Sequence, residues 1–247
     1  MPTLVILRHG QSTWNAENRF TGWVDVDLSP AGEDESRKAG GLLAGELTVE
    51  IDTVHTSVLT RAVRTATIVL EEMGRSFLPV RRHWRLNERH YGALQGLDKK
   101  ETAERYGIDQ VKAWRRSFSV RPPALGDDDP GHPRNDPRYR LVPASALPAA
   151  ESLADVVVRM TPYFDDVIGP ELLSGLNVLV VAHGNSLRAL IKHLESISDD
   201  DIVGLDVPTG FPRLYDLDER LCVTSARYLG DPQAAKAAAA EVSRQAG

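Results

Sequence analysis

The sequence MPTLVILRHGQSTWN (residues 1–15) joins a short apolar run to three residues of very different chemistry. The run at 3–7 is continuous rather than alternating, which is typical of a strand buried on both faces of a parallel sheet. It ends on Arg8, His9 and Gly10. A cation, an imidazole and a glycine at this point indicate that the strand delivers reactive groups to one edge of a sheet.

A second stretch, NVLVVAHGNSLRAL (177–190), repeats this pattern. An apolar strand at 177–181 is followed by His183, Gly184 and a polar turn into a helix. Because ligands of α/β sheets bind beyond the carboxyl ends of the strands, both histidines are expected to reach one crevice. A single histidine at a strand end is more often structural. Two of them, each followed by glycine, favour a functional site.

The rest of the chain alternates between strand and helix patterns. Ser29 and Pro30 are a helix cap and a first helical residue. The expected helices are 30–46, 60–73, 98–118, 152–168 and 187–195, and further strands are expected at 52–57 and 78–82, with an antiparallel edge pair at 213–218 and 222–229. This order predicts a single-domain α/β three-layer sandwich, with a mostly parallel central sheet and helices on both faces.

Two segments depart from that alternation. Residues 119–150 are rich in proline, glycine and aspartate, which predicts an irregular insertion; such long connections are uncommon unless they are functional or mobile. Residues 231–247 are rich in alanine and have few large apolar groups. We therefore expect a catalytic α/β domain at 1–230 and a flexible C-terminal tail at 231–247.

Charge and composition narrow the classes of partner. The chain has 247 residues with a net charge of −6, which argues against general binding to nucleic acid or to a membrane surface. A small anionic substrate stays open, because a local cluster of arginines can outweigh a mildly acidic surface. One cysteine, no targeting pattern and no run long enough to span a bilayer predict a cytoplasmic protein.

The residue types at the predicted edge favour one chemistry. A neutral imidazole is a good nucleophile near pH 7. Arginines beside it bind phosphoryl oxygens through their fixed forks and disfavour the protonated imidazole. Phosphoryl transfer to histidine requires this combination, together with a proton donor for the leaving oxygen.

Several motifs, in this order along the chain, carry a family resemblance. They are RHGQSTWN (8–15), FTGWVDVDLS (20–29), TSVLTRA (56–62), NERHYGALQG (87–96), WRR (114–116) and AHGNSLRAL (182–190). The first resembles the signature of the histidine phosphatase superfamily, and the whole set resembles the cofactor-dependent phosphoglycerate mutases. The similarity runs from about residue 3 to about residue 230. Gln11 is a departure, since many relatives carry glutamate there.

The resemblance implies roles for the matching residues. His9 would be the nucleophile that becomes phosphohistidine, Arg8, Arg61 and His183 would surround the phosphoryl group, and Glu88 would be the general acid and base. Arg61 and Glu88 would also contact the substrate. The other implied substrate-binding residues are Ser12, Asn15, Thr21, Gly22, Arg89, His90, Tyr91, Lys99, Arg115, Arg116, Gly184 and Asn185.

The resemblance also implies an activity, which is the interconversion of 3-phosphoglycerate and 2-phosphoglycerate. The primer would be 2,3-bisphosphoglycerate, and no metal would be required. Relatives are often dimers or tetramers, so a homodimer or homotetramer is expected. No phosphate-binding glycine loop of a nucleotide site is present in the sequence.

Two alternatives remain at this stage. A phosphomonoester phosphatase of the same superfamily would share the first half-reaction, although it would not need Lys99, Arg115 and Arg116 to hold both ends of a glycerate. A catalytically idle sensor of phosphorylated ligands could have lost any of His9, Glu88 and His183, which are all present.

Overall fold

A six-stranded sheet organises the chain in the computed structural model, which describes residues 2–46 and 50–244. Its order is β3-β2-β4-β1-β5-β6. Neighbouring strands from β3 through β1 run parallel, whereas β5 pairs antiparallel with both β1 and β6. The strands are β1 (Thr3–Arg8), β2 (Thr53–Thr56), β3 (Val80–Arg82), β4 (Val178–Ala182), β5 (Arg213–Leu217) and β6 (Val223–Tyr228).

Helices connect the strands and cover the sheet. They are α1 (Thr13–Ala16), α2 (Pro30–Gly45), α3 (Thr60–Glu72), α4 (Lys99–Tyr106), α5 (Ile108–Arg116), α6 (Leu153–Tyr163), α7 (Gly169–Leu173), α8 (Gly184–Glu195) and α9 (Pro232–Arg244). Among the helices of the described residues, none combines the length and the apolar character needed to cross a bilayer.

The central strands are buried on both sides, as their continuous apolar runs predict. Leu4 and Ile6 of β1 pack in a core with residues of α6 and α8, whereas Val5 and Leu7 pack in a second core with residues of α2 and α3. Successive residues of a strand point to opposite faces, so one apolar run supplies both cores. The predicted three-layer α/β sandwich is confirmed.

Two of the expected helices are divided. The helix expected at 98–118 is interrupted at Gly107, whose φ of +88° separates α4 from α5. Gly107 is visible in the sequence, but an isolated glycine inside a helical pattern does not by itself show that the helix ends there. The helix expected at 152–168 is α-helical only to Tyr163 and continues as a π-helical turn, Phe164–Ile168, into α7. Pro162 lies just before that turn and has no N–H to continue the helical ladder.

The irregular insertion (119–150) and the C-terminal tail (231–247) both contain regular local structure. Within 119–150 the regular elements are short 3-10 turns, Pro133–Asn135, Pro137–Tyr139 and Ala144–Ala146. The tail contains α9, where Ala235 is buried. The flexibility expected for 231–247 remains a prediction, and residues 245–247 lie outside the described residues.

Candidate active site

The two strand-end histidines meet at the carboxyl edge of the sheet. β1 and β4 are parallel neighbours with Arg8 opposite Ala182, and the amide of His9 donates to the carbonyl of Ala182 over 3.0 Å. The imidazole rings of His9 and His183 lie 4.8 Å apart between centroids, at an interplanar angle of 63°. Residues 174 positions apart are thus in one site because their strands are paired.

The ring of His9 is oriented by its own turn. Its Nδ1 lies 2.6 Å from the carbonyl oxygen of Gly10. A carbonyl only accepts, so Nδ1 carries the proton and the lone pair is on Nε2. Burial, together with the charges of Arg61 and Arg8, holds the pKa of His9 well below its usual value. A buried, neutral imidazole with a free Nε2 is equipped to act as a nucleophile.

Gly10 is required by the packing behind this turn. A Cβ at this position would lie 2.1 Å from the carbonyl oxygen of Gly32 in α2. The amide of Gly10 donates to Thr65 Oγ1 of α3 over 3.2 Å. The two helices on this face of the sheet therefore fix the loop that orients His9.

His183 is held by a different kind of partner. Its Nε2 lies 2.7 Å from Ser57 Oγ, at the end of β2, and that oxygen also accepts the amide N–H of Leu59. Nδ1 of His183 is buried and has no hydrogen-bond partner in the part of the chain that the structure describes. Burial lowers the pKa of His183 well below its usual value, and the charge of Arg61 and the neighbouring His9 add to the effect.

Arg8 and Arg61 supply positive charge beside the two rings. Nη1 of Arg8 donates to the carbonyl of Val207 over 2.8 Å, and Nη2 of Arg61 donates to the carbonyl of Gly22 over 2.7 Å. Burial lowers the pKa of Arg61 to about 10, which leaves it charged at neutral pH. Because neutral carbonyls hold both side chains, their charge remains available for an anion.

Glu88 places a carboxylate among these cations. Its Oε1 accepts the amide N–H groups of Arg89 and Asn185, over 2.7 and 3.1 Å. A Cβ on Gly184 would lie 3.6 Å from both Glu88 Oε2 and the guanidinium carbon of Arg8. The start of α8 therefore brings the carboxylate close to the strand ends, where it can exchange a proton with a bound ligand.

These side chains surround a cavity of about 90 Å³. Its described lining carries seven cationic side chains and two carboxylates, those of Glu88 and Asp206. Such an excess of cations is suited to a small ligand with several negative charges. The cavity is lined by Arg8, His9, Asn15, Arg19, Phe20, Thr21, Gly22, Arg61, Glu88, Tyr91, Lys99, Arg115, Arg116, Gly184, Asn185, Arg188, Asp206 and Val207.

A second cationic group lies in the same cavity. Lys99 is 7% exposed, and burial together with the charges of Arg115 and Arg8 lowers its pKa to about 7. Burial also lowers the pKa of Arg115 to about 10. Arg116 is paired with Asp206 over 2.6 Å. A ligand bound near His9 therefore meets positive charge at its other end as well.

Four of the residues predicted for the site do not line the cavity. The ring of His183 packs edge-on against that of His9, and Ser12 caps α1 by accepting the amide of Asn15, which does line the cavity. Arg89 is fully buried and donates to the carbonyl of Arg115 over 2.9 Å. His90 packs against Trp23, and burial lowers its pKa to about 3.

The sequence analysis did not single out several lining residues, of which Arg188 is the most notable. It lies on α8 one helical turn after Gly184, so helical spacing from the His-Gly motif was the available signal. Its guanidinium donates to Asn185 Oδ1 over 3.1 Å and to the carbonyl of Ile202 over 2.6 Å. The others are Arg19, Phe20, Asp206 and Val207.

Metal ligands form no cluster in the part of the chain described. No group of three or more histidine, cysteine, aspartate or glutamate side chains there is placed to hold an ion.

Solved structures share this architecture. A mycobacterial glucosyl-3-phosphoglycerate phosphatase complexed with VO3 superposes with a TM-score of 0.69 over 92% of this chain and 97% of its own, at 24% identity. A putative alpha-ribazole-5'-P phosphatase from Escherichia coli gives a TM-score of 0.69 at 20% identity, over 93% of this chain and 96% of its own. At these identities the likeness concerns the fold.

Sequence comparison is more specific. The model of the histidine phosphatase superfamily (branch 1) matches residues 4–211. Two 2,3-bisphosphoglycerate-dependent phosphoglycerate mutases of Nitratidesulfovibrio vulgaris, from strains Hildenborough and Miyazaki F, are each 57% identical over 245 residues, covering 99% of this chain and 98% of their own. The chain belongs to the histidine phosphatase superfamily and, within it, to the family of the 2,3-bisphosphoglycerate-dependent phosphoglycerate mutases.

Proposed function

We propose that this enzyme interconverts 3-phosphoglycerate and 2-phosphoglycerate, the mutase step of glycolysis and gluconeogenesis, and that His9 carries the phosphoryl group. The observation that carries the proposal is the environment of His9. Its free Nε2 lies in a cavity with seven cationic side chains and two carboxylates, of which Asp206 is paired with Arg116 and Glu88 is not held by a cation among the described residues. The family assignment supplies the substrate class, and 2,3-bisphosphoglycerate is the primer that first phosphorylates His9.

The reaction has two transfers. In the first, the bond between His9 Nε2 and phosphorus breaks, a bond forms to the free hydroxyl oxygen of the bound monophosphoglycerate, and Glu88 accepts the hydroxyl proton. The bisphosphate then reorients. In the second, the other phosphoryl group returns to Nε2, its bond to the glycerate oxygen breaks, and Glu88 gives that oxygen the proton.

Arg8, Arg61 and His183 stabilise the charge of the group in transfer. Ser57 Oγ accepts the amide of Leu59, and in the proposed mechanism its hydroxyl hydrogen donates to His183 Nε2. With that hydroxyl as the donor, the proton of the neutral ring would be on Nδ1, and Nδ1 would donate to a phosphoryl oxygen. The three groups thus supply positive charge and a hydrogen-bond donor without a metal.

The second cationic group supports a mutase over a general phosphatase. Tyr91, Lys99, Arg115 and Arg116 would hold the other phosphate and the carboxylate of the glycerate, which a simple phosphomonoester lacks. Arg116→Ala is expected to reduce kcat/KM for 3-phosphoglycerate by roughly 10²-fold, because it also leaves Asp206 unpaired in the cavity. A small phosphate ester should lose far less, and equal losses on both would contradict this role.

The deciding assay follows conversion of 3-phosphoglycerate to 2-phosphoglycerate in excess EDTA, with and without catalytic 2,3-bisphosphoglycerate, while free phosphate is measured in parallel. We expect conversion that is stimulated by the bisphosphate, insensitive to EDTA and accompanied by little free phosphate. Release of phosphate without isomerisation would mean that the same histidine serves a phosphatase. Loss of conversion in EDTA would overturn the metal-free mechanism.

The proposal extends to the setting of the enzyme. We place it in the cytoplasm as a homodimer or homotetramer, as the family resemblance implies. Light scattering on the purified chain measures the oligomeric state directly, and a monomer at micromolar concentration would contradict this part.

A further inference from the structure

The backbone around Glu88 accepts several hydrogen bonds from one buried arginine, Arg159. Glu88 follows the 3-10 turn Trp84–Leu86 and belongs to no helix or strand. Arg159 of α6 donates from Nη1 to the carbonyl of Arg85 over 2.6 Å, and from Nη2 to the carbonyls of Asn87 and Glu88, each over 2.9 Å. One guanidinium therefore binds the backbone on the N-terminal side of Glu88 and at Glu88 itself.

Glu151 binds both Arg159 and the backbone that follows Glu88. Its two carboxylate oxygens accept from Nε and Nη2 of Arg159 over 2.6 and 3.0 Å. Oε2 also accepts the amide of His90 over 2.8 Å, and the amide of Glu151 donates to the carbonyl of His90 over 2.8 Å. The ion pair thus binds the chain both before and after Glu88.

The pair is deeply buried, with Arg159 8% and Glu151 2% exposed. A buried ion pair is a poor device for stability, since apolar residues of the same volume are often at least as stable. It fixes the geometry of the backbone well, because each charged group of the pair is hydrogen-bonded to a defined partner. A displacement of about 1 Å at a catalytic group can cost about 10²-fold in rate.

Glu151 also connects the irregular insertion to this segment. It directly follows residues 119–150, and the amide of Ala93 donates to the carbonyl of Pro123 inside that insertion over 2.8 Å. A Cβ on Gly92 would lie 2.1 Å from the same carbonyl. The insertion is therefore packed directly on residues 90–93, and the ion pair lies where it rejoins the sheet domain.

We propose that the Arg159–Glu151 ion pair is the positioning unit for Glu88, fixing its backbone so that the carboxylate lies where protons are exchanged. This proposal rests on the acid–base role proposed above for Glu88. Neither Arg159 nor Glu151 lines the cavity, so both act through Glu88 and not by contact with substrate.

The test is a double-mutant cycle in the full-length enzyme. Single-turnover transfer from 2,3-bisphosphoglycerate to His9 is measured for the wild type, Arg159→Lys, Glu88→Gln and the double variant. We expect Arg159→Lys to slow transfer about 10- to 100-fold in the wild type. In the Glu88→Gln background it should slow transfer less than about 2-fold, because the positioned proton donor is already gone.

A second variant and a control accompany the cycle. Glu151→Gln keeps the volume of the side chain and removes its charge, and it should show the same dependence on Glu88 with a smaller loss. Arg121→Lys is the matched control, because exposed Arg121 pairs with Asp155 in the first turn of the same helix, over two contacts of 2.6 Å. That variant should transfer at the wild-type rate.

Three results would overturn the proposal. Equal losses in both backgrounds would show that the ion pair acts on the fold in general. A wild-type rate for both Arg159→Lys and Glu151→Gln would show that Glu88 needs no such support. If Glu88→Gln itself transfers normally, the acid–base role fails first and the positioning role fails with it, which separates the two proposals.

Discussion

The ends of β1 and β4 carry the same local pattern, yet they hold their histidines differently. His9 follows β1 and is oriented through Nδ1 by the carbonyl of the next residue, Gly10. His183 follows β4 and is oriented through Nε2 by the hydroxyl of Ser57, 126 residues away. Among the described residues, the first anchor leaves Nε2 of His9 without a partner, and the second leaves Nδ1 of His183 without one.

This difference supports the roles proposed for the two rings. A backbone carbonyl accepts only, so it sets the tautomer of His9 without help from other groups. A hydroxyl both donates and accepts, so the tautomer of His183 depends on what else Ser57 binds. In the proposed mechanism, equivalent positions in the sheet would thus provide a nucleophile and an electrostatic partner.

The largest effect is expected when the imidazole that follows β1 is removed. His9→Ala should abolish both formation of the acid-labile phosphoenzyme and turnover, because no other described imidazole is placed with a free Nε2 in the cavity. His183→Ala is the matched variant and should still form phosphoenzyme, slowly. Labelling with radioactive bisphosphate measures both, and a phosphoprotein that survives in His9→Ala would reverse the assignment.

The next largest effect is expected for Glu88, whose carboxylate accepts an amide from the first turn of α8, just after β4. Glu88→Gln keeps an oxygen that can accept from Asn185 and Arg89 while removing the exchangeable proton. The rate should fall by roughly the 10²–10⁴-fold typical of a positioned acid–base group, with little change in the affinity for 3-phosphoglycerate. Stopped-flow kinetics and calorimetric titration separate the two quantities; weakened binding at an unchanged rate would be the contrary result.

A smaller effect is expected when Ser57, the hydrogen-bond partner of His183, loses its hydroxyl. Ser57→Ala leaves Nε2 of His183 buried without its partner, which should lower the free energy of unfolding by about 1–3 kcal/mol and slow phosphoryl transfer by about 10-fold. Tyr215→Phe removes another buried hydroxyl, from Glu195 Oε1 and away from the cavity, and serves as a control for stability alone. Equal transfer rates in the two variants would remove Ser57 from the orientation of His183.

The last prediction concerns stability as a function of pH, without an effect on the reaction itself, and tests what the two rings share. Burial depresses the pKa of both His9 and His183 in the folded protein, whereas the unfolded chain protonates its histidines near pH 6.5. The unfolded state therefore binds more protons in acid, so this contribution to stability is complete above pH 6.5 and is lost as the pH falls. Each such histidine contributes a slope of about 1.4 kcal/mol per pH unit below that point.

Urea unfolding between pH 5 and pH 8 measures this slope. His90, whose pKa burial lowers to about 3, belongs to the same group, so His90→Gln should make the slope shallower. Stability that is constant from pH 8 down to pH 5 would show that the buried rings are protonated in the folded state.

Much of this protein follows from local sequence patterns. The apolar runs at 3–7 and 177–181 predict buried parallel strands, and the residues after them predict where the reactive groups lie. Ser29 and Pro30 mark the start of α2 correctly. These features depend on neighbours along the chain, which is why a periodicity or a cap residue reveals them.

Other features depend on groups that are distant in the chain. The hydrogen bond between His183 and Ser57, the inclusion of Arg188 in the cavity and the support of Glu88 by Arg159 all rest on groups brought together by the packing of strands and helices. Hydrogen bonds such as those from Arg159 to Glu88, 71 positions apart, leave no period and no spacing in the sequence. The sequence by itself determined the strands, the reactive residues at their ends and the family. The tertiary structure decided which nitrogen of His183 is free and held the carboxylate of Glu88 in place.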